Sequence, residues 1–205
     1  MNDVLIVIPT LDWDRGLATF RAAIATAGIS RVEPCVVEDW NRNGFTRTVN
    51  AGLQSAAAGE DVLILNDDIE CFPLGWLASL QTVLHSASDI GIVAPSGKSL
   101  STPNNGRPGE GGLVEVNSVP FWCALIRAEL RAGAPFLDPD FWHYSSDTWY
   151  CWLARWAGWR LVWVRSVYLW HEHQASGHQA KWRELDLQTL RRKQASMGGK
   201  PWKKA

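Results

Sequence analysis

The stretch VLILNDDIECF, from Val62 to Phe72, joins an apolar run to an unusual polar end. Its first residues are typical of a buried β-strand, and they lead directly into Asn66, Asp67 and Asp68. A strand does not need two adjacent carboxylates at its end in order to fold. The pair therefore indicates either a solvated turn, which Asp and Asn favour, or a binding site for a cation.

Short β-type runs alternate with helical patterns on both sides of this stretch. The patterns predict strands at 3–9, 32–39, 61–66, 90–95 and 113–119, and helices at 15–27, 46–59 and 76–85. Repeated strand–helix–strand units require right-handed crossovers, which produce parallel strands. We therefore expect an α/β fold with a mostly parallel central sheet flanked by helices. Ligands bind beyond the carboxyl ends of such strands, where Glu38, Asp39, Asp67 and Asp68 fall.

The second half of the chain is less regular. Residues 96–112 are rich in Gly, Pro, Ser and Asn and predict a long loop that could act as a lid. Residues 121–130 are expected to include a short helix. A further helix is predicted at 145–158, with Ser145 or Ser146 as its cap and Asp147 in its first turn. The strand 159–164, the segment 167–173 and a basic helix at about 179–195 follow.

Composition limits what this chain can do. Its 205 residues, 46% hydrophobic and 20% charged, suit one globular domain. The net charge of -1 excludes a uniformly basic nucleic-acid binder. No run approaches the roughly 18 apolar residues of a membrane span, so we expect no transmembrane segment and a cytoplasmic protein. The four cysteines are too widely spaced for a zinc site or a disulfide framework, and most of the 13 tryptophans are expected to pack in the core.

Several motifs, in order, resemble the GT-A fold of nucleotide-sugar glycosyltransferases, specifically the family 2 type, over about residues 4–176. The opening VLIVIPTLDW, the segment VVED, the long match NGFTRTVNAGLQSAAAGEDVLILNDDIE and the closing HEHQAS carry the resemblance. Asn66-Asp67-Asp68 matches the DxD motif with Asn in its first position. The resemblance implies one Rossmann-like GT-A domain at 1–176, with a donor-binding part at about 1–95 and an acceptor-side part at about 113–176. A basic helix and tail at 177–205 would follow.

The same resemblance assigns site residues. Asp68 would hold Mn²⁺ or Mg²⁺ together with His171 or His173, and His171 is preferred. Asp147 stands in the place of the general base. Trp122 and Trp149 are placed on the acceptor side, although Trp149 stands where the family often has a second acid. The residues placed at the donor are Pro9, Thr10, Glu38, Asp39, Arg47, Asn50, Asn66 and Asp67.

The chemistry of sugar transfer needs these residue types. A cation stabilises the leaving diphosphate, and a base takes the proton of the attacking hydroxyl. The helix dipole is expected to keep Asp147 charged. The resemblance implies a nucleoside-diphosphate sugar as donor, most readily a UDP-sugar, and an inverting single displacement.

Two other classes of function stay open. A carbohydrate- or nucleic-acid-binding module without catalysis would use the tryptophans and the basic end, where residues 181–205 hold eight Lys or Arg and two acids. That basic end could also hold an anionic acceptor such as DNA, a lipid-linked sugar or a glycan. A sugar nucleotidyltransferase would need a glycine-rich loop after the first strand, and PTLDWDRG has one glycine.

Overall fold

A computed structural model of the chain describes residues 3–98, 111–171 and 180–197. The strands are β1 Val4–Thr10, β2 Val32–Glu38, β3 Asp61–Leu65, β4 Ile69–Glu70, β5 Ile90–Lys98, β6 Leu113–Val116, β7 Cys123–Ile126 and β8 Arg160–His171. The helices are α1 Trp13–Ala25, α2 Phe45–Leu53, α3 Trp76–Leu84, α4 Ala128–Gly133, α5 Ser146–Trp156 and α6 Ala180–Ser196.

The strands of the described part form one sheet in the order β2-β1-β3-β7-β5-β8-β4, with β6 also paired to β8. Strands β1, β2, β3, β5 and β8 run in one direction, and β4, β6 and β7 run against them. The α/β class and the predominant strand direction are confirmed. The sheet places the carboxyl ends of β1 and β3, with Thr10 and Asn66, at the same edge.

Two apolar layers cover the two faces of the sheet. On one face the strands pack against α1 and α3, with Trp76 and Phe20 among the buried residues. On the other face they pack against α2, α4 and α5, with Val49 and Tyr150 in the core. Burial on both faces explains why β1 and β3 are continuously apolar rather than alternating.

Three features differ from the sequence-based prediction. Residues 123–126 form strand β7, where only a helix was expected, and this antiparallel strand separates β3 from β5. Strand β8 is continuous through 160–171, and a shift in its register with β5 lies between the two runs that were predicted separately. The predicted loop at 96–112 begins as part of β5, which extends to Lys98, and its residues 99–110 lie outside the described part.

The tryptophan and cysteine predictions are partly confirmed. Trp76, Trp122, Trp149 and Trp152 are buried, whereas Trp13, Trp40, Trp156 and Trp170 are exposed. All four cysteines are free thiols, of which two are buried. No helix within the described ranges is both long and apolar enough to cross a lipid bilayer.

Close packing of α2 on β1 predicts a strong effect at Gly52. A Cβ atom there would overlap Val7 Cγ1 and approach Val37 Cγ2 to 3.2 Å. We expect Gly52→Ala to lower the free energy of unfolding by about 1–3 kcal/mol. The matched control is Gly133→Ala at the end of α4, where no atom lies within 4 Å of the added methyl group. Denaturant unfolding should show the control unchanged or more stable by up to about 1 kcal/mol; equal effects of the two substitutions would contradict the packing.

Candidate functional site

A cleft of about 460 Å³ opens at the carboxyl ends of β1 and β3. One wall consists of the two strand ends, with Pro9, Thr10 and 66–68. The lining of the cleft also includes the segment 142–144, Asp147 and Trp182 of α6. The strand-end wall is the part of the cleft that the sequence-based argument places correctly.

Asp67 is held by a dense set of polar contacts. Its Oδ2 atom accepts hydrogen bonds from the Thr10 hydroxyl at 2.5 Å and from Arg15 Nη2 and Nε at 2.6 and 3.0 Å. The side chain is only 7% exposed, and Thr19 donates to its backbone carbonyl at 2.8 Å. Asp67 is therefore buried and does not belong to a solvated turn. Its charge instead fixes Arg15 at the cleft.

Asp68 lies against an imidazole. The pairing of β4 with β8 sets Ile69 opposite His171, and Asp68 Oδ1 lies 2.9 Å from His171 Nε2. The Nδ2 atom of Asn66 is 3.5 Å from the same nitrogen. Trp122 stacks on the His171 ring at a centroid distance of 5.3 Å and lines the cleft from this side. His173, the other histidine considered as a ligand, lies outside the described residues.

The pair formed by Asp68 and His171 fits a divalent cation. Two ligand atoms that each lie about 2.1 Å from one ion, at a right angle, are about 3 Å apart, which matches the observed Oδ1–Nε2 separation. The Oδ1 atom of Asn66 is buried and has no hydrogen-bond partner among the residues described. Within those residues no group of three or more His, Cys, Asp and Glu side chains could enclose a metal. Such an incomplete shell leaves positions for substrate oxygens, as Mg²⁺ and Mn²⁺ sites commonly do.

Asp147 lies at the start of α5 and faces the cleft. Its carboxylate accepts hydrogen bonds from the N–H groups of Thr148 and Phe121, at 2.6 and 3.4 Å. Burial raises the pKa of the Asp147 carboxyl above its usual value, and these hydrogen bonds oppose the rise. Desolvation therefore outweighs these hydrogen bonds, and the direction of the shift is opposite to the one expected from the helix dipole. The helix cap also differs, because Ser145 has a positive φ of 62° and makes no side-chain capping bond.

The two predicted donor residues at the end of β2, Glu38 and Asp39, lie in different grooves. Asp39 lines the cleft, and its two carboxylate oxygens accept from the N–H groups of Asn43 and Gly44 at 2.7 and 2.8 Å. Glu38 lies in a neighbouring groove with Trp13 and Trp40.

Two other predicted donor residues do not line the cleft. Asn50 uses both ends of its amide on the backbone of Leu137, each at 2.8 Å, and so anchors the loop before α5. Arg47 is exposed, with its guanidinium 5.7 Å from the centroid of the Trp142 ring. Arg47 is therefore near the cleft residue Trp142 without lining the cleft, and Asn50 has a structural contact instead.

Trp149 does not take the acceptor position that was predicted for it. It is 6% exposed, stacks on Trp152 with ring centroids 5.1 Å apart, and packs with Leu190 of α6. Its place on the inner side of α5 turns it towards this core cluster, while Asp147, two residues earlier, faces the cleft.

Several cleft residues were missed from the sequence: Arg15, Arg42, Trp142, His143, Tyr144 and Trp182. The run from Trp142 to Tyr144 shortly precedes Asp147, which was a usable signal. Burial lowers the pKa of His143, and the nearby Asp186 carboxylate opposes this effect. Trp182 lies more than thirty residues after Asp147, and no local pattern connects it to the cleft.

Comparison with solved structures identifies the fold. The chain superimposes on GalNAc-T7 with UDP, GalNAc and Mn²⁺ at a TM-score of 0.69 and 12% identity, covering 93% of this chain and 48% of that one. The mannosyltransferase PcManGT from Pyrobaculum calidifontis, with GDP-Man and Mn²⁺, gives 0.70 at 17% identity, with 97% and 64% coverage. The catalytic domain of Drosophila β1,4-galactosyltransferase 7 with xylobiose gives 0.63 at 15% identity, with 91% and 80% coverage.

These likenesses show that the chain has the GT-A fold. Comparison of the sequence with protein-family models and with curated proteins gives no match. The chain spans about half of the GalNAc-T7 chain and just under two thirds of the mannosyltransferase chain.

The ion pair between Arg15 and Asp67 predicts strong coupling between these residues. Arg15→Met leaves a buried carboxylate with one hydroxyl donor and should cost about 1–3 kcal/mol of unfolding free energy. Adding Asp67→Asn should recover most of that loss, because no buried charge remains. A double-mutant cycle measured by denaturant unfolding checks this, and additive effects within about 0.3 kcal/mol would contradict the coupling.

Proposed function

We propose that this chain is a glycosyltransferase that moves a sugar from a nucleoside-diphosphate sugar to an acceptor hydroxyl. The observation that carries the proposal is the placement of two groups in one cleft of a GT-A fold. The carboxylate–imidazole pair Asp68–His171 lies at the strand ends, and the carboxylate of Asp147 faces the same cavity. Glycosyltransferases of this fold crystallised with Mn²⁺ and UDP or GDP-Man support the assignment of the donor class.

The strand-end wall would bind the donor. Asp68 and His171 would hold Mn²⁺ or Mg²⁺, which when bound would offset the charge of the leaving diphosphate. Arg15 lines the cleft with its guanidinium oriented by Asp67, and its Nη1 is not engaged in that contact. A guanidinium held in this way loses little side-chain entropy when it binds a phosphate oxygen. Arg42 adds a second cation to the same cleft.

Asp147 would act as the general base. In a single displacement the acceptor oxygen forms a bond to the anomeric carbon while the bond to the diphosphate oxygen breaks, which inverts that carbon. The hydroxyl proton passes to the Asp147 carboxylate. Its raised pKa makes the carboxylate a better proton acceptor than an ordinary aspartate, as long as it is deprotonated at the working pH.

A donor panel tests the proposed function directly. We expect UDP- or GDP-sugars incubated with the protein and Mn²⁺ to release nucleoside diphosphate slowly, because water can replace the acceptor. Chelation of the metal should stop the release, and Asp68→Asn should lower it at least about tenfold. Glu129→Gln, at an exposed carboxylate of α4, is the matched control and should leave the rate unchanged. Absence of release from every donor, or full release by Asp68→Asn, would contradict the proposal.

The Asp147→Asn variant tests the base. We expect turnover to fall about 10²- to 10⁴-fold while the affinity for nucleoside diphosphate with Mn²⁺ is unchanged. In the wild-type protein, kcat should fall as the pH is lowered, because only the deprotonated Asp147 accepts the proton. Since the pKa of Asp147 is raised, this fall should begin at a higher pH than it would with an ordinary aspartate as the base.

The stability of Asp147→Asn provides a second readout. The pKa of Asp147 is higher in the folded state than in the unfolded state. At a pH between these two pKa values the folded protein binds more protons than the unfolded protein, so stability falls as pH rises through this range. At neutral pH the charged carboxylate therefore lowers stability, and Asp147→Asn should melt no lower than the wild type. Near-normal turnover, or a lower melting temperature with intact turnover, would show Asp147 to be a structural helix-end residue instead.

A further inference from the structure

The carboxylate of Asp186 in α6 is buried in a ring of backbone donors. It accepts hydrogen bonds from the N–H groups of Trp142, His143 and Tyr144, at 2.9, 2.8 and 2.7 Å, and Asp186 is only 2% exposed. Three consecutive N–H groups directed at one anion form a nest, which is a strong and directional anion site. Here the anion is supplied by the chain itself, from more than forty residues away.

One helical turn before Asp186, Trp182 makes a second contact between α6 and the segment 142–144. Its ring stacks on that of Trp142, with centroids 4.5 Å apart and planes inclined by 11°, and both side chains line the cleft. The amino group of Lys181 lies 5.3 Å from the Trp182 ring centroid. Helix α6 therefore supplies part of the lining of the cleft.

Residues near the C-terminal end of α6 contact the part of the chain that directly precedes 142–144. Lys193 Nζ lies 2.7 Å from a carboxylate oxygen of Asp138 and 2.7 Å from one of Asp140. Leu190 packs with Phe141 in the apolar cluster beneath the loop. The segment 138–144 is thus fixed by α6 along its whole length.

This segment has no regular secondary structure to hold it otherwise. It leads through Ser145, whose φ of 62° is strained for a residue with a side chain, into the first turn of α5 and Asp147. Without Asp186, three N–H groups would lose their acceptor, and the segment would be free to rearrange. A shift of about 1 Å in a catalytic group can lower a rate about 100-fold.

We propose that Asp186 is a positioning residue for the transfer reaction, and that Trp182 forms the acceptor side of the cleft. This inference rests on the proposed function, because the group that Asp186 would position is the proposed base Asp147. The site proposed for the metal is built from the ends of β3 and β8, where Asp68 contacts His171, and the neighbouring Asp67 accepts a hydrogen bond from Thr10 of β1. Loss of Asp186 should therefore impair the chemical step and leave donor binding intact.

The test compares Asp186→Asn with Glu184→Gln, a control at an exposed carboxylate of the same helix whose contact is Gln188. We expect hydrogen exchange of the peptide covering 142–148 to accelerate in Asp186→Asn alone. With a nucleotide sugar that the wild type hydrolyses in Mn²⁺, kcat should fall about 10- to 100-fold while the donor KM and the affinity for nucleoside diphosphate stay constant. The Trp182→Phe variant should retain donor affinity and lose turnover when a sugar acceptor replaces water.

Unchanged exchange in Asp186→Asn, or accelerated exchange with normal kcat, would overturn the inference. If Asp186→Asn does not fold, Lys193→Gln carries the same test, because it releases the other end of the segment at a partly exposed position. For this variant we expect the same pattern with a smaller fall in kcat. A wild-type protein that hydrolyses no nucleotide sugar would contradict the proposed function, whereas the exchange experiment still decides whether α6 holds the segment.

Discussion

The antiparallel pairing of β4 with β8 builds the strand-end part of the site. Strand β4 has only two residues, yet its pairing sets Ile69 opposite His171 and brings an imidazole against the carboxylate at the end of β3. The two residues are separated by about half of the chain. Trp122 stacks on the same imidazole, so the pairing also determines how these two cleft-lining rings contact each other.

Three carboxylates in and around the cleft are treated in three different ways. Asp67 is neutralised by Arg15 and fixed in place, Asp68 is shared with a histidine, and Asp147 is desolvated without a cationic partner among its hydrogen bonds. The first arrangement suits a structural anchor, the second a metal ligand and the third a proton acceptor. This division of roles favours an enzyme over a binding module, because a binding module has no need of a destabilised carboxylate.

The sequence predicted those parts of the fold whose information is local. Continuous apolar runs specify β1 and β3, and helical spacing specifies α1 and α3, so the strand-end residues Thr10 and 66–68 were placed correctly. Strand β7 was missed because it has only four residues, Cys123–Ile126, and a single residue separates it from α4, with no Gly or Pro to mark the boundary. Trp149 was assigned to the acceptor side and Trp182 was missed because their positions depend on how α6 packs, and contacts between distant elements leave no periodic signal.

In the proposed site, Asp68 and His171 hold a divalent cation that binds the donor diphosphate. Anomalous diffraction from crystals grown with Mn²⁺ and UDP or GDP tests it most directly. We expect a manganese peak within about 2.0–2.4 Å of an Asp68 carboxylate oxygen and a His171 ring nitrogen, with diphosphate oxygens in its remaining positions. A nucleotide bound in the cleft with no manganese peak at these two residues, or with the ion at another site, would contradict it.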